Sequence, residues 1–103
     1  MNDTSSVFFS GQETLIRDSA RRIAAEVIAP TAAERDRTSA WPGKEVEALA
    51  RVGLAGMLIS EDFGGSDASF VEYCLAIEAI AAADAGVATV LHVHNSVARV
   101  LNL

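Results

Sequence analysis

The sequence predicts an all-α, up-and-down bundle of about four helices. Three observations carry that expectation. Apolar residues recur at helical spacing along most of the chain, and helix-start signatures stand at Ser10, near Ser69 and at Asp84. Only one run, Leu54 to Ile59, is short and apolar enough to suggest a strand, and no second run exists to pair with it.

The first helix opens at Ser10-Gly11-Gln12-Glu13, the spacing of a capping box, in which serine and glutamate each satisfy a free backbone donor. Ile16, Ala20, Ile23 and Val27 then mark one face, widened by Ala24 and Ile28. Glu13 with Arg17 and Asp18 with Arg22 stand four apart with the acid first, which suits an exposed face, so the arginines are expected to be solvated. Pro30 is expected to end the helix, because the residue before proline is pushed out of helical geometry.

A polar stretch follows, through Glu34, Arg35, Asp36 and Arg37 to Trp41-Pro42. Proline suits a first helical turn, which places a second helix from about Pro42 to Val52. Val46, Leu49 and Ala50 are its expected inner face and Glu47–Arg51 an outer pair, with Gly53 as a left-handed stop. Trp41 is expected to staple the start of this helix to the core. Leu54–Ile59 reads as a buried extended connector, and Ser60-Glu61-Asp62-Phe63-Gly64-Gly65 as a loop. Its glycine pair lacks the lysine and the spacing of a phosphate-cradling loop.

A third helix, capped by Asp67 or Ser69, carries Phe70, Cys74, Ile77 and Ala81 on one stripe, extended by Val71, Leu75 and Ala82. Cys74 on that stripe reads as an inert core thiol. Glu78 falls at its edge, where a half-buried carboxylate is more often a paired structural group than a base. Asp84 caps a fourth helix from Ala85 to about Leu101, with Val87, Val90 or Leu91, His94, Ala98 and Leu101 in helical register. His92 and His94 are two apart and point about 200° away from each other, so they cannot chelate one metal. No Ser/His/Asp triad or paired-carboxylate site is formed by these spacings.

Composition narrows the functions available. The net charge is −6 over 103 residues, with half the chain apolar. Residues 1–52 hold eight acids and seven bases, whereas residues 53–103 hold six acids and only Arg99. That distribution excludes a nucleic-acid binder and is poorly suited to an anionic membrane or a polyphosphate. An anionic ligand group should be held elsewhere, or by another chain. One cysteine excludes an internal disulfide. The longest apolar stretch, Tyr73 to Ala83, is broken by Glu78 and too short to span a bilayer. The first dozen residues carry no lysine or arginine, which reads against a secretory signal and for a cytoplasmic protein.

Several segments, in order, resemble the N-terminal helical domain of FAD-dependent acyl-CoA dehydrogenases. Arg17-Asp18 through Ile28-Ala29-Pro30 resembles the family's first long helix and its closing Ile-Ala-Pro. Ala33 to Arg37 and Trp41-Pro42 resemble the acidic linker and the aromatic-proline pair that follow. Val52-Gly53-Leu54-Ala55-Gly56-Met57 is similar to the Gly-Leu-x-Gly turn, and Ser60 to Gly65 to the Pro-Glu-Glu-Tyr-Gly-Gly loop, with Ser60 in place of proline. Ala76-Ile77-Glu78, Asp84 and Val93-His94-Asn95-Ser96 resemble landmarks of the last two helices.

The resemblance implies an oxidoreductase that removes the α-proton of an acyl-CoA thioester with a glutamate base and passes the β-hydrogen to FAD as hydride. It also implies that base and flavin belong to a middle β-domain and a C-terminal helical domain outside this sequence. No carboxylate here, Glu78 included, is then the catalytic base. Residues 1–9 become a tail and 10–103 the helical domain, with no catalytic, cofactor or metal residue of its own. Its last helix would wall the acyl pocket through Thr89, Val93 and Val97, with Val90 beside them; a register shifted by one residue would put His92 in place of Val93. The expected partners are the acyl-CoA substrate, the remaining domains and further copies of the enzyme, and the 103-residue chain alone is expected to be inactive and to bind flavin weakly. The alternative is a free-standing helical module that serves in interaction or assembly without catalysis.

Overall fold

The computed structural model describes residues 9–102, so most of the expected tail (1–8) and Leu103 lie outside the described residues. The described chain is α-helical, with helices α1 (Gly11–Ile23), α2 (Ala29–Thr38), α3 (Gly43–Arg51), α4 (Phe70–Ala83) and α5 (Ala85–Leu101). α1 and α2 run on as one rod, which leaves four rods and no strand among the described residues, the all-α bundle that the sequence predicts.

Pro30 does not end the first helix. A single wide π turn, Ala24–Ile28, absorbs it, with the Ala29 N–H donating five residues back to the Ala24 carbonyl. Proline has no N–H for the carbonyl four residues earlier and its ring would press on that carbonyl. Widening the preceding turn relieves both problems and lets the helix continue through the charged segment expected to be a linker. The rod stops at Ser39, in left-handed geometry with φ 58°.

Three helix starts follow their sequence signatures. The Ser10/Glu13 capping box closes at 2.8 and 3.1 Å. Ser69, not Asp67, caps α4, forming a second box with Glu72 at 3.0 and 3.1 Å. Asp84 caps α5 through the N–H groups of Gly86 and Val87.

α1 packs along α4, α4 along α5, and α3 against α5. Ala20, Ala24, Ile28, Leu49, Met57, Tyr73, Ala76, Ile80, Val87 and Leu91 form the shared core. Three of the ten are alanine, whose small side chains let helix backbones approach. The molecule measures 42 × 38 × 17 Å, and 17 Å is less than two helix diameters. A slab so thin cannot cover both flanks of every helix, so large apolar side chains stay outside.

Several expected inner faces turn out otherwise. On α4 the buried residues are Tyr73, Leu75, Ala76, Ala79 and Ile80, whereas Phe70, Cys74 and Ala81 are exposed. α4 is apolar nearly all round, so periodicity alone could not choose its inner side. Cys74 is therefore a surface thiol, and Glu78 is exposed rather than half-buried. In α3 Leu49 is buried but Ala50 is exposed. Trp41 does not staple the core: it is 72% exposed and its indole lies by Gly43, where a Cβ would stand 3.3 Å from the ring, while Pro42 takes the buried place. Arg17 is not solvated; it is buried, with its guanidinium on Asp18 at 3.0 Å. The expected outer pair Glu47–Arg51 does form, at 2.5 Å.

Leu54–Ile59 is not extended. It opens with a 3-10 turn, Leu54–Gly56, onto which the next segment folds back. Ser66 N–H donates to Gly56 O (2.9 Å), Asp67 N–H to Ile59 O (2.9 Å) and Ala68 N–H to Met57 O (2.7 Å). Gly65 is obligatory in this fold-back, since a Cβ there would sit 2.1 Å from the Ile59 carbonyl oxygen. Gly64, with open space around it, supplies a left-handed turn at φ 83°, so the pair serves backbone geometry.

Candidate functional site

α5 divides into two faces of opposite character. Val87, Ala88, Leu91 and Asn95 are buried and face the other helices. Thr89, Val93 and Val97 recur every four residues on the far side, each step turning about 40° around the axis, and all three are exposed. Val93 and Val97 are each 54% exposed and Leu101, further along, 83%. The Thr89 hydroxyl donates to the Ala85 carbonyl at 2.9 Å, so its polarity is satisfied inside the helix. Val90 is half-buried at the flank, in an open cleft of about 360 Å³ that it shares with Trp41, Pro42 and Gly86.

His92 stands one residue from Val93, and so about 100° around the helix. Its Nδ1 lies 2.5 Å from the Tyr73 hydroxyl of α4, with the rings tilted at 33°. Burial pushes the Tyr73 phenol up, and the neighbouring Cys74 adds to the shift, so the hydroxyl stays protonated and able to donate. His94 is exposed on the other flank. The two histidines do not converge, and among the described residues no group of three or more His, Cys, Asp or Glu could hold a metal.

The start of α5 is held by charge. Asp84 is a one-residue corner between α4 and α5 (φ −162°, ψ 106°), and its carboxylate is divided between two duties. Oδ1 accepts from Gly86 N–H (2.9 Å) and Val87 N–H (3.2 Å), while Oδ2 accepts from Arg35 Nη2 (2.8 Å) and Nε (3.1 Å). Arg35 also donates to Glu45 Oε1 at 2.9 Å, to the Ile28 carbonyl at 2.9 Å and to the Thr31 hydroxyl. Burial alone would raise the Asp84 carboxyl. The Arg35 hydrogen bonds, the two N–H donors and the Arg35 charge outweigh it and hold the carboxyl below its ordinary value.

Further along, α5 is held by a neutral amide. Asn95 is fully buried; its Oδ1 accepts from Met57 N–H at 3.0 Å and its Nδ2 donates to Leu54 O (2.9 Å) and Leu91 O (3.0 Å). Asn102, one face repeat later, accepts from Ser60 N–H at 3.3 Å. Sequence reasoning missed both Arg35 and Asn95 as key residues. A signal existed for Asn95, an amide on the otherwise apolar stripe of Val87, Leu91 and Ala98. Arg35 had none, sitting in a run of alternating charges.

Other openings offer less. A cleft of about 440 Å³ between α1 and α4 has Arg17, Arg21 and Glu78 with Leu75, Ala79 and Ala82, but no nucleophile or paired acid and base. Among the described residues, three of the helix starts are closed to a flavin pyrophosphate. The starts of α1, α4 and α5 each carry an acid of their own, Glu13, Glu72 and Asp84, where a pyrophosphate would need free donors. No helix among the described residues is long and apolar enough to cross a membrane.

Fold and face together define an all-helical module that buries one side of its last helix and leaves the other side apolar and open. The chain belongs to the acyl-CoA dehydrogenase N-terminal domain family, whose profile matches residues 10–102. It is 44% identical over 63 residues to a 3-sulfinopropanoyl-CoA desulfinase of Paraburkholderia xenovorans (strain LB400), covering 61% of this chain and 16% of that protein. It is 34% identical over 86 residues to an acyl-CoA dehydrogenase of Bacillus subtilis (strain 168), covering 84% and 23%. With the mitochondrial short/branched chain specific acyl-CoA dehydrogenase of Bos taurus it shares 33% identity over 88 residues, covering 85% and 20%. The chain thus spans less than a quarter of the length of each of these relatives.

Proposed function

We propose that residues 10–103 serve as the N-terminal domain of an acyl-CoA-oxidising flavoenzyme, and that the outer face of α5 walls its acyl pocket. The observation that carries this reading is the stripe of Thr89, Val93 and Val97, exposed although apolar, on the helix side opposite the core. Val90 extends it at the flank. Such a face offers no charge and no unsatisfied donor, which suits a hydrocarbon tail rather than a carboxylate or an amine. The Tyr73–His92 hydrogen bond supports the register with Val93, since it engages His92 with α4.

The chemistry lies outside this chain under the same reading. FAD, when bound by the remaining domains, accepts hydride from the β-carbon, and the base is likewise theirs. The 103-residue chain alone then has no dehydrogenase activity and no tight flavin site. Val93→Phe in the intact enzyme should reduce kcat/KM for long acyl-CoA substrates by about tenfold more than for short ones, by filling the far end of the pocket. An unchanged chain-length profile would remove the face from the substrate site.

One observation favours a second reading, a non-catalytic assembly module. The exposed stripe continues past the pocket positions to Val100 and Leu101, which are 67% and 83% exposed. A stop codon after Leu103 and a self-associating chain in size-exclusion chromatography would favour that module; a continuing reading frame and substrate turnover would favour the enzyme.

A further inference from the structure

We propose that Arg35 is a positioning residue for the acyl wall: through Asp84 it fixes the first turns of α5, and with them where Thr89 and Val90 stand. The inference rests on the reading of α5 given above, and it adds to that reading a residue remote from the wall itself. Arg35 joins three separate segments with one guanidinium. It holds the Ile28 carbonyl at the end of the π turn, Glu45 in the first turn of α3 and Asp84 at the α4–α5 corner. The side chains of Arg35, Glu45 and Asp84 are 9%, 14% and 17% exposed, so solvent screens the cluster little.

Asp84 is the whole connection between α4 and α5, since α4 ends at Ala83 and α5 begins at Ala85. A one-residue corner sets direction through two backbone dihedrals, and nothing in its length resists a pivot. The Arg35 pair adds to the resistance of the buried Val87 and Ala88, because the oxygen it holds belongs to the same carboxylate that caps α5. Further along, His92 bonds to Tyr73 at the edge of the helix. The first fully buried side chain to anchor it by hydrogen bonds is Asn95, eleven residues on by number, or about 16 Å along the axis. Thr89 and Val90 lie about midway between Asp84 and Asn95, and both before Asn95; Val97 lies beyond it. Loss of Arg35 should therefore displace the upstream part of the wall and spare the downstream part.

Two variants separate positioning from simple stabilisation. Arg35→Met removes the guanidinium but keeps most of its length. Asp84→Asn keeps an oxygen to cap the helix and replaces the oxygen that Arg35 holds with an NH2 group, removing both the charge and the acceptor. Hydrogen exchange of the intact enzyme should show amides 86–92 exchanging about tenfold faster in both variants, with amides 95–101 within about twofold of the parent. The ratio of kcat/KM for long against short acyl-CoA substrates should change by about threefold or more in both. If exchange over 86–92 and the ratio are unchanged in Asp84→Asn, the proposal is overturned, whatever the stability of Arg35→Met. Faster exchange spread equally over 86–101 would also overturn it, as a uniform loss of stability. If exchange changes locally while neither these variants nor Val93→Phe alters the ratio, it is the wall reading that fails. An altered ratio in Val93→Phe alone, with exchange untouched in both variants, sinks the role of Arg35 and leaves the wall intact.

Discussion

The start and the middle of α5 are secured by different chemistry. At its start, Asp84 is gripped by a buried arginine that also serves Glu45, an ionic cluster in which one cation answers two carboxylates. At its middle, Asn95 ties the helix to the 54–57 turn with two neutral hydrogen bonds, and to its own Leu91 carbonyl with a third, with no charge at all. The ionic anchor depends on pH and on a single guanidinium; the amide anchor depends on neither. The difference teaches that a thin slab of helices can leave a long apolar face open, provided the helix bearing it is fixed from behind at two points.

Breaking the amide anchor should cost most. Asn95→Leu strands the Met57 N–H and the Leu54 carbonyl in the interior, and two unsatisfied buried groups amount to about 4 kcal/mol. Urea unfolding followed by circular dichroism measures it; a loss below about 1 kcal/mol would mean the turn finds other partners. Arg35→Met comes next, at about 3 kcal/mol, because it leaves two largely buried carboxylates without their cation.

pH sharpens the contrast between the anchors. The folded Asp84 carboxyl is held below its ordinary value, so the folded state binds its proton less readily than the unfolded chain does. Its contribution is then complete above the ordinary carboxylate pKa of about 4 and is lost as pH falls through the depressed folded value. Unfolding free energy measured against pH should drop more steeply below pH ~4 in the parent than in Asp84→Asn, which cannot titrate there. Asn95→Leu should keep the parent's slope, being weaker by the same amount at every pH. The smallest effect belongs to the open face: Val93→Ser should change stability by no more than about 0.5 kcal/mol, since the side chain is already half in water.

What was legible in the sequence was local. Ser10 with Glu13, Ser69 with Glu72, and Asp84 with the N–H groups just after it are all bonds within three residues, so a spacing rule finds them. Pro30 misleads because a π turn, which has no simple sequence sign, lets a helix pass a proline. α4 misleads because alanines and larger apolar residues surround it on all sides and no polar stripe marks the exterior. The anchors of α5 were illegible for another reason: Arg35 meets Asp84 across 49 positions and Asn95 meets Met57 across 38. Pairings at that range are set by how the rods stack. The outer stripe itself, Thr89, Val93 and Val97, was readable as a helical repeat, but its exposure emerges only once the opposite face is seen to be full.

The central claim is that this outer stripe meets the acyl tail. The most direct measurement is photoaffinity labelling of the intact enzyme with an acyl-CoA bearing a diazirine near the end of its chain, followed by fragment mass spectrometry. The account predicts adducts at Thr89, Val90, Val93 or Val97 that disappear when unlabelled acyl-CoA competes. Competed labelling confined to residues outside α5 would contradict it.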